Sequence, residues 1–143
     1  VNLFFDTSAL VKFFHQEMGS EQVIALIEKP ENDIWVSDLA RIEFNSALYR
    51  KFRRGDLDAV QLVEIASGFQ EEWQNLNVQP VSQAVLDEAE ALMQRQGKQL
   101  GLRTLDAIQL ASFALLAEEN WAFVVADGLL ADAVEAEQLA VAL

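Results

Sequence analysis

The chain has 143 residues, is 52% hydrophobic and carries a net charge of −13 with no cysteine. Its length and apolar content suit a single domain, residues 1–143, folded round one core. The lack of cysteine excludes disulfides, thiolate metal sites and thiol redox chemistry. The apolar stretch Val1 to Phe5 stops at Asp6, too short for a signal h-region. No later run approaches the roughly 20 apolar residues of a membrane span, so a cytoplasmic protein with no membrane partner is expected.

In chain order, Val1 to Phe5 reads as a buried strand, Ser8 to His15 and Ser20 to Lys29 as helices, and Ile34 to Ser37 as a second strand after the break at Pro30. Leu39 to Phe52 is an amphipathic helix ended by Gly55, Leu57 to Gln74 is another, and Leu76 to Val81 is a third strand. Ser82 caps a helix running to about Gln96, Gly97 to Gly101 form a turn, and Thr104 to Glu119 is helical. Trp121 to Ala126 is the most apolar strand, and Leu139 to Leu143 reads as a last one. Short buried strands separated by helices imply a parallel α/β sandwich. No repeat, low-complexity tract or linker interrupts the pattern.

In such sheets ligands gather beyond the carboxyl ends of the strands. Asp6 and Asp127 each follow an apolar strand, although either alone is as well explained as a helix N-cap. Two further acids lie at inward positions of helices. In the first, the stripe Leu39, Ile42, Glu43, Ser46, Ala47 includes Glu43; in the second, Leu102, Leu105, Asp106, Gln109, Leu110, Phe113 includes Asp106. An unpaired buried carboxylate costs several kcal/mol, so such acids need a partner. For Glu43 that could be Arg41, Arg103 or a buried amide, and for Asp106 a backbone contact. Two inward acids together with two strand-end acids favour convergence on one cation. An all-carboxylate set selects Mg²⁺, with Mn²⁺ as a substitute, over zinc. His15, the only histidine, is given no role.

The acidic balance runs against a nucleic-acid enzyme, which draws on basic surface. Four of the 10 basic residues, Arg50, Lys51, Arg53 and Arg54, nevertheless cluster at one helix end. They form either a local phosphate-binding patch or a solvated helix terminus that complements the dipole.

Asp6-Thr7-Ser8-Ala9-Leu10-Val11-Lys12, Arg41-Ile42-Glu43-Phe44-Asn45-Ser46-Ala47-Leu48, Leu102-Arg103-Thr104-Leu105-Asp106-Ala107-Ile108-Gln109-Leu110-Ala111 and Phe123-Val124-Val125-Ala126-Asp127-Gly128-Leu129-Leu130 occur in that order over nearly the whole chain. Together they resemble the PIN-domain family, and within it the VapC-type toxin ribonucleases. The resemblance implies a three-layer sandwich with a mostly parallel five-stranded sheet. It also implies an endoribonuclease that hydrolyses phosphodiester bonds in tRNA, rRNA or mRNA, a homodimer, and a small antitoxin that blocks the site.

Asp6, Glu43, Asp106 and Asp127 are the candidate catalytic and metal-binding residues. Asp6 and Asp127 are placed on the metal directly, Asp106 directly or through water, and Glu43 as a ligand or as the group orienting the attacking water. Crowding among them should raise at least one pKa and let metal stabilise the fold. Ser8, Arg41, Arg50, Lys51, Arg53, Arg54 and Arg103 are the substrate-binding candidates, with helix capping the stronger role for Ser8. Asp38 reads as an N-cap. The acidic surface suits an antitoxin with basic residues that reach the anionic pocket. One departure is Val125, where the family often has a hydroxyl two places before its last acid.

Competing readings are weaker. A haloacid-dehalogenase-like phosphatase needs a second acid where this chain has Ser8, and a response-regulator receiver needs paired acids at its first turn and a late lysine that are missing. A housekeeping RNA-processing nuclease, or a PIN scaffold that binds RNA or protein without cutting, remains as the alternative.

Overall fold

The computed structural model describes residues 1–143. Five strands alternate with seven helices: β1 (Asn2–Phe5), α1 (Thr7–Phe14), α2 (Ser20–Glu28), β2 (Asp33–Ser37), α3 (Ala40–Arg53), α4 (Ala59–Trp73), β3 (Asn77–Gln79), α5 (Gln83–Gln96), α6 (Thr104–Leu116), β4 (Trp121–Val124), α7 (Gly128–Ala136) and β5 (Val141–Ala142). The strands form one all-parallel sheet in the order β3-β2-β1-β4-β5.

Because successive side chains of a strand point to opposite faces, β1 supplies both halves of the core. Leu3 and Phe5 enter one apolar cluster with Val36, Val124, Val23, Phe44, Leu48 and Phe69, under α1 to α4. Phe4 enters the other with Phe123, Leu92, Leu110, Phe113 and Leu130, under α5 to α7. The result is three layers with strands apolar on both faces, which is why they read as continuous runs rather than alternations.

The strand order places the site. From β1 the chain builds outward through β2 to β3, then returns to β1's other side with β4 and continues to β5. The two halves diverge between β1 and β4, where Phe5 pairs with Val124, and a crevice opens beyond the carboxyl ends of strands at such a switch point. Asp6 and Asp127 leave those two strands.

Several local features differ from the expected ones. The N-cap reading of Asp127 holds, and the helix it caps, α7, runs for nine residues that the sequence pattern did not delimit. Helix α4 begins at Ala59 behind a capping box of Asp58 and Gln61, not at Leu57, and α6 stops at Leu116. Asp38 does not cap α3: it is Ser37 Oγ that accepts a bond, from the Leu39 amide at 3.1 Å. Ser82 caps α5 as expected. After α3 the chain reverses at Gly55, whose φ of 81° is open to glycine and strained for other residues. No helix is long and apolar enough to cross a membrane.

Candidate active site

Asp6, Glu43, Asp106 and Asp127 line one cavity of about 620 Å³ at the switch point. Each comes from a different place: the end of β1, the first turn of α3, the first turn of α6, and the residue before α7.

Asp6 is the N-cap of α1. Its Oδ2 accepts bonds from the amide of Ser8 at 3.1 Å and from the Ser8 hydroxyl, so the cap is Asp6 and Ser8 is its donor. It is 5% exposed, and burial is the main reason its pKa rises from about 3.8 to about 6. The charges of Glu43 and Asp106 push the same way, against the Ser8 bonds.

Glu43 Oε1 accepts from Gln109 Nε2 at 2.6 Å and from Thr7 Oγ1 at 3.0 Å. Burial raises its pKa above the ordinary carboxylate range; these two donors and Arg103 oppose the shift, and Asp106 adds to it. Glu43 lies inward as expected, but the apolar stripe of α3 is not the expected one. Ile42 is 72% exposed, and the buried residues of α3 are Ala40, Phe44 and Leu48. Leu105 on α6 is likewise exposed, while Ala107, Leu110 and Ala111 are buried.

Asp106 and Asp127 share Arg103. Its Nε donates to Asp106 Oδ2 at 3.1 Å, and its Nη2 lies 3.6 Å from Asp127 Oδ2. Both acids and Asp6 hold the Arg103 guanidinium above its usual pKa, chiefly through the Asp106 hydrogen bond. Asp127 Oδ1 caps α7, accepting from the amides of Leu129 at 2.9 Å and Leu130 at 3.1 Å. Both N-cap readings of the strand-end acids thus hold together with their place on the cavity.

Among the other candidates, Ser8, Arg50 and Arg103 line the cavity and Arg41, Lys51, Arg53 and Arg54 do not. The Arg41 guanidinium lies over the Trp73 ring, 5.4 Å from its centroid. Lys51 binds Glu17 at 2.8 Å. Arg53 and Arg54 are exposed at the end of α3.

Three residues that sequence reasoning left out belong to the site. Glu17 is a fifth acid on the cavity; burial raises its pKa, but bonds from Lys51 and Lys12 outweigh that and lower it. Thr7 and Gln109 hold Glu43. The signal for Gln109 was present, since an amide on the inward face of an otherwise apolar helix needs a partner.

The donor chemistry fits a hard divalent cation: all oxygen, no sulfur or imidazole, and acids whose buried members resist ionising beside one another. Asp6, Asp106 and Asp127, with Glu43, are the residues that would hold it. As they stand, no three acidic side chains close on a common point. Asp106 and Asp127 turn to the guanidinium that lies within reach of both.

A parallel five-stranded α/β sandwich with acids gathered at its switch point defines a PIN-type domain. The chain belongs to the PIN-domain family, whose sequence profile matches residues 3–134. Solved structures share the fold at low identity. FitAcB from Neisseria gonorrhoeae is 12% identical over 97% of this chain and 95% of that one, with a TM-score of 0.74. VapC20 from Mycobacterium tuberculosis, a sarcin–ricin loop cleaving toxin, is 16% identical over 92% and 94%, with a TM-score of 0.70. VapBC2 from Rickettsia felis, bound to a DNA fragment from its promoter, is 12% identical over 99% and 98%, with a TM-score of 0.66. Among curated proteins, none matches this chain by sequence.

Proposed function

We propose that this PIN domain is a Mg²⁺- or Mn²⁺-dependent endoribonuclease, the toxin of a type II toxin–antitoxin pair. The observation that carries the reading is the meeting of four carboxylates, from four separate elements, on one cavity at the carboxyl end of the sheet. Similarity to VapC20, a toxin that cleaves the sarcin–ricin loop, and to the VapBC2 complex supports the ribonuclease and antitoxin parts.

A divalent cation bound there supplies Lewis acidity, activating a water and offsetting charge on the scissile phosphate. Asp6 and Asp127 are assigned to hold it, Asp106 to hold it directly or through a water, and Glu43 to bind it or orient the attacking water. Arg103 and Arg50 line the same cavity, which supports a role for both in meeting substrate phosphates. The backbone bonds that make Asp6 and Asp127 helix caps also fix their carboxylates, limiting the ordering needed when substrate arrives. No protein nucleophile is needed.

The net charge of −13 and the acidic cavity favour a partner that brings a basic side chain into the site, as a small cognate antitoxin would. Helices α3 and α4 expose Ile42, Tyr49, Phe52, Val60 and Val63, apolar surface of the kind a partner chain or a second copy in a homodimer covers. The alternative, a scaffold that binds RNA or protein without cutting, draws on one observation: no three acids converge.

The test is cleavage of total cellular RNA by purified protein in Mg²⁺, Mn²⁺ or EDTA, beside an Asp106→Asn variant folded by circular dichroism. Cleavage lost in EDTA and in the variant is the expected result. Cleavage that survives both would mean a contaminating ribonuclease and leave the scaffold reading ahead.

A further inference from the structure

Gln109 is fully buried in α6, although the residues around it on that helix, Ala107, Leu110 and Phe113, are buried and apolar. Its Nε2 donates to Glu43 Oε1 at 2.6 Å and to Thr7 Oγ1 at 3.3 Å, and Thr7 Oγ1 donates to the same Glu43 oxygen at 3.0 Å. Its own Oε1 has no partner. The amide cannot be turned over to relieve this, because its carbonyl would then face a carboxylate oxygen, acceptor against acceptor. A buried carbonyl without a donor is therefore the consequence of serving Glu43. Packing alone would be met as well by an apolar side chain of the same shape.

We propose that Gln109 and Thr7 are a positioning pair for Glu43: they bind Oε1, stop the carboxylate rotating, and leave Oε2 as the one oxygen it offers to the cavity. The inference rests on the nuclease reading above and adds a cation specificity to it. Oε2 accepts no hydrogen bond in the protein, and Glu43 lines the cavity with the other three acids. The contact joins α1, α3 and α6, so the side chain is fixed by three elements that also carry or adjoin Asp6 and Asp106. A carboxylate with one oxygen engaged gives one ligand in a set place. That suits a small octahedral ion such as Mg²⁺ or Mn²⁺, whereas Ca²⁺ readily takes both oxygens of a carboxylate in looser geometry. The pair thus favours the smaller ions over Ca²⁺.

The experiment measures Mn²⁺, Mg²⁺ and Ca²⁺ binding to metal-free protein by calorimetry, with thermal unfolding of each sample. Wild type is compared with Gln109→Leu, Thr7→Val and Thr7→Ser. Gln109→Leu and Thr7→Val are expected to weaken Mn²⁺ binding roughly 10- to 100-fold, the usual effect of losing a residue that orients a ligand. Ca²⁺ binding should fall less, narrowing the preference, and a cooperative metal-free unfolding transition shows that each variant is folded. Thr7→Ser, which restores the hydroxyl, should restore the wild-type ratio. Gln109→Leu binding all three ions as wild type does would overturn the positioning role and leave the nuclease reading intact. So would a Thr7→Val that matches Thr7→Ser. Wild type that binds neither Mn²⁺ nor Mg²⁺ would remove the nuclease reading and the pair's role with it.

Discussion

Asp6 and Glu43 belong to the α1–α4 layer and are held by neutral donors, Asp6 by the exposed Ser8 and Glu43 by the buried Thr7 and Gln109. Asp106 and Asp127 belong to the α5–α7 layer and share one guanidinium, that of Arg103, whose side chain is 72% exposed. Neutral donors fix a carboxylate without cancelling its charge, so the first pair stays electrostatically unfavourable until a cation arrives. A guanidinium cancels charge and holds little in place when it is mostly in water. One half of the site is thus ordered but uncompensated; the other is compensated, with Asp127 also fixed by the Leu129 and Leu130 amides and Asp106 held by the guanidinium alone.

The comparison is broken most directly by removing one acid from each half. Asp6→Asn should abolish cleavage, by at least roughly a hundredfold, since it takes a fixed charge from the buried half. Asp127→Asn keeps an oxygen that can cap α7 and lies in the more exposed half, so its loss should be smaller. Turnover of a defined RNA in saturating Mn²⁺ measures both. Equal losses would mean that the two halves contribute alike.

The second difference is in stability. Burial lifts Asp6 from about 3.8 to about 6, so the folded protein holds that proton more tightly than the unfolded chain does. Stability from this group is fully present below pH 3.8 and falls as pH rises to about 6, a change of about 3 kcal/mol for two pKa units. Glu43 is shifted in the same direction. In EDTA, wild type should therefore lose stability between pH 4 and pH 6 relative to Asp6→Asn, as read from urea unfolding of the two proteins. Mn²⁺ should restore it at pH 7 by about 2.7 kcal/mol at a hundred times its Kd. Parallel pH curves for the two proteins would place the strain elsewhere.

How far this was visible beforehand depends on how local each feature is. The strands were legible because a strand covered on both faces is apolar throughout, and the acids at their ends stand out against Phe4, Phe5, Val124 and Val125. The rotation of α3 was not. Arg41-Ile42-Glu43-Phe44 has an apolar residue on either side of the acid, so the periodicity fits two faces. Phe69 decides between them by stacking on Phe44 at 3.8 Å from a different helix. A buried amide is one of the partners expected for Glu43 and is the one found; that it is Gln109, 66 residues away, needs the tertiary packing. Asp127 is both the cap of α7 and a residue of the cavity, so its two expected roles are not alternatives. In the basic run Arg50 lines the cavity and Lys51 pairs with Glu17 at its edge, while Arg53 and Arg54 point into solvent.

Arg103 gives the smallest effect and the sharpest distinction between the halves. Its guanidinium lies within reach of Asp106 and Asp127, where a cation held by those two acids would compete with it. Arg103→Met keeps most of the side chain's bulk and removes the charge. If the arginine is only a counter-ion for these two acids, the variant should bind Mn²⁺ a few-fold more tightly, and its metal-free Tm should barely move because the guanidinium is mostly in water. If the freed guanidinium also meets a substrate phosphate, RNA binding should weaken and its log–log dependence on salt should flatten by about 0.7 for one contact to a single strand. Weaker Mn²⁺ binding by Arg103→Met would show instead that the guanidinium helps to arrange Asp106 and Asp127 for the ion. Asp106 would then be ordered too, by an exposed charge where Glu43 is ordered by a buried amide and hydroxyl.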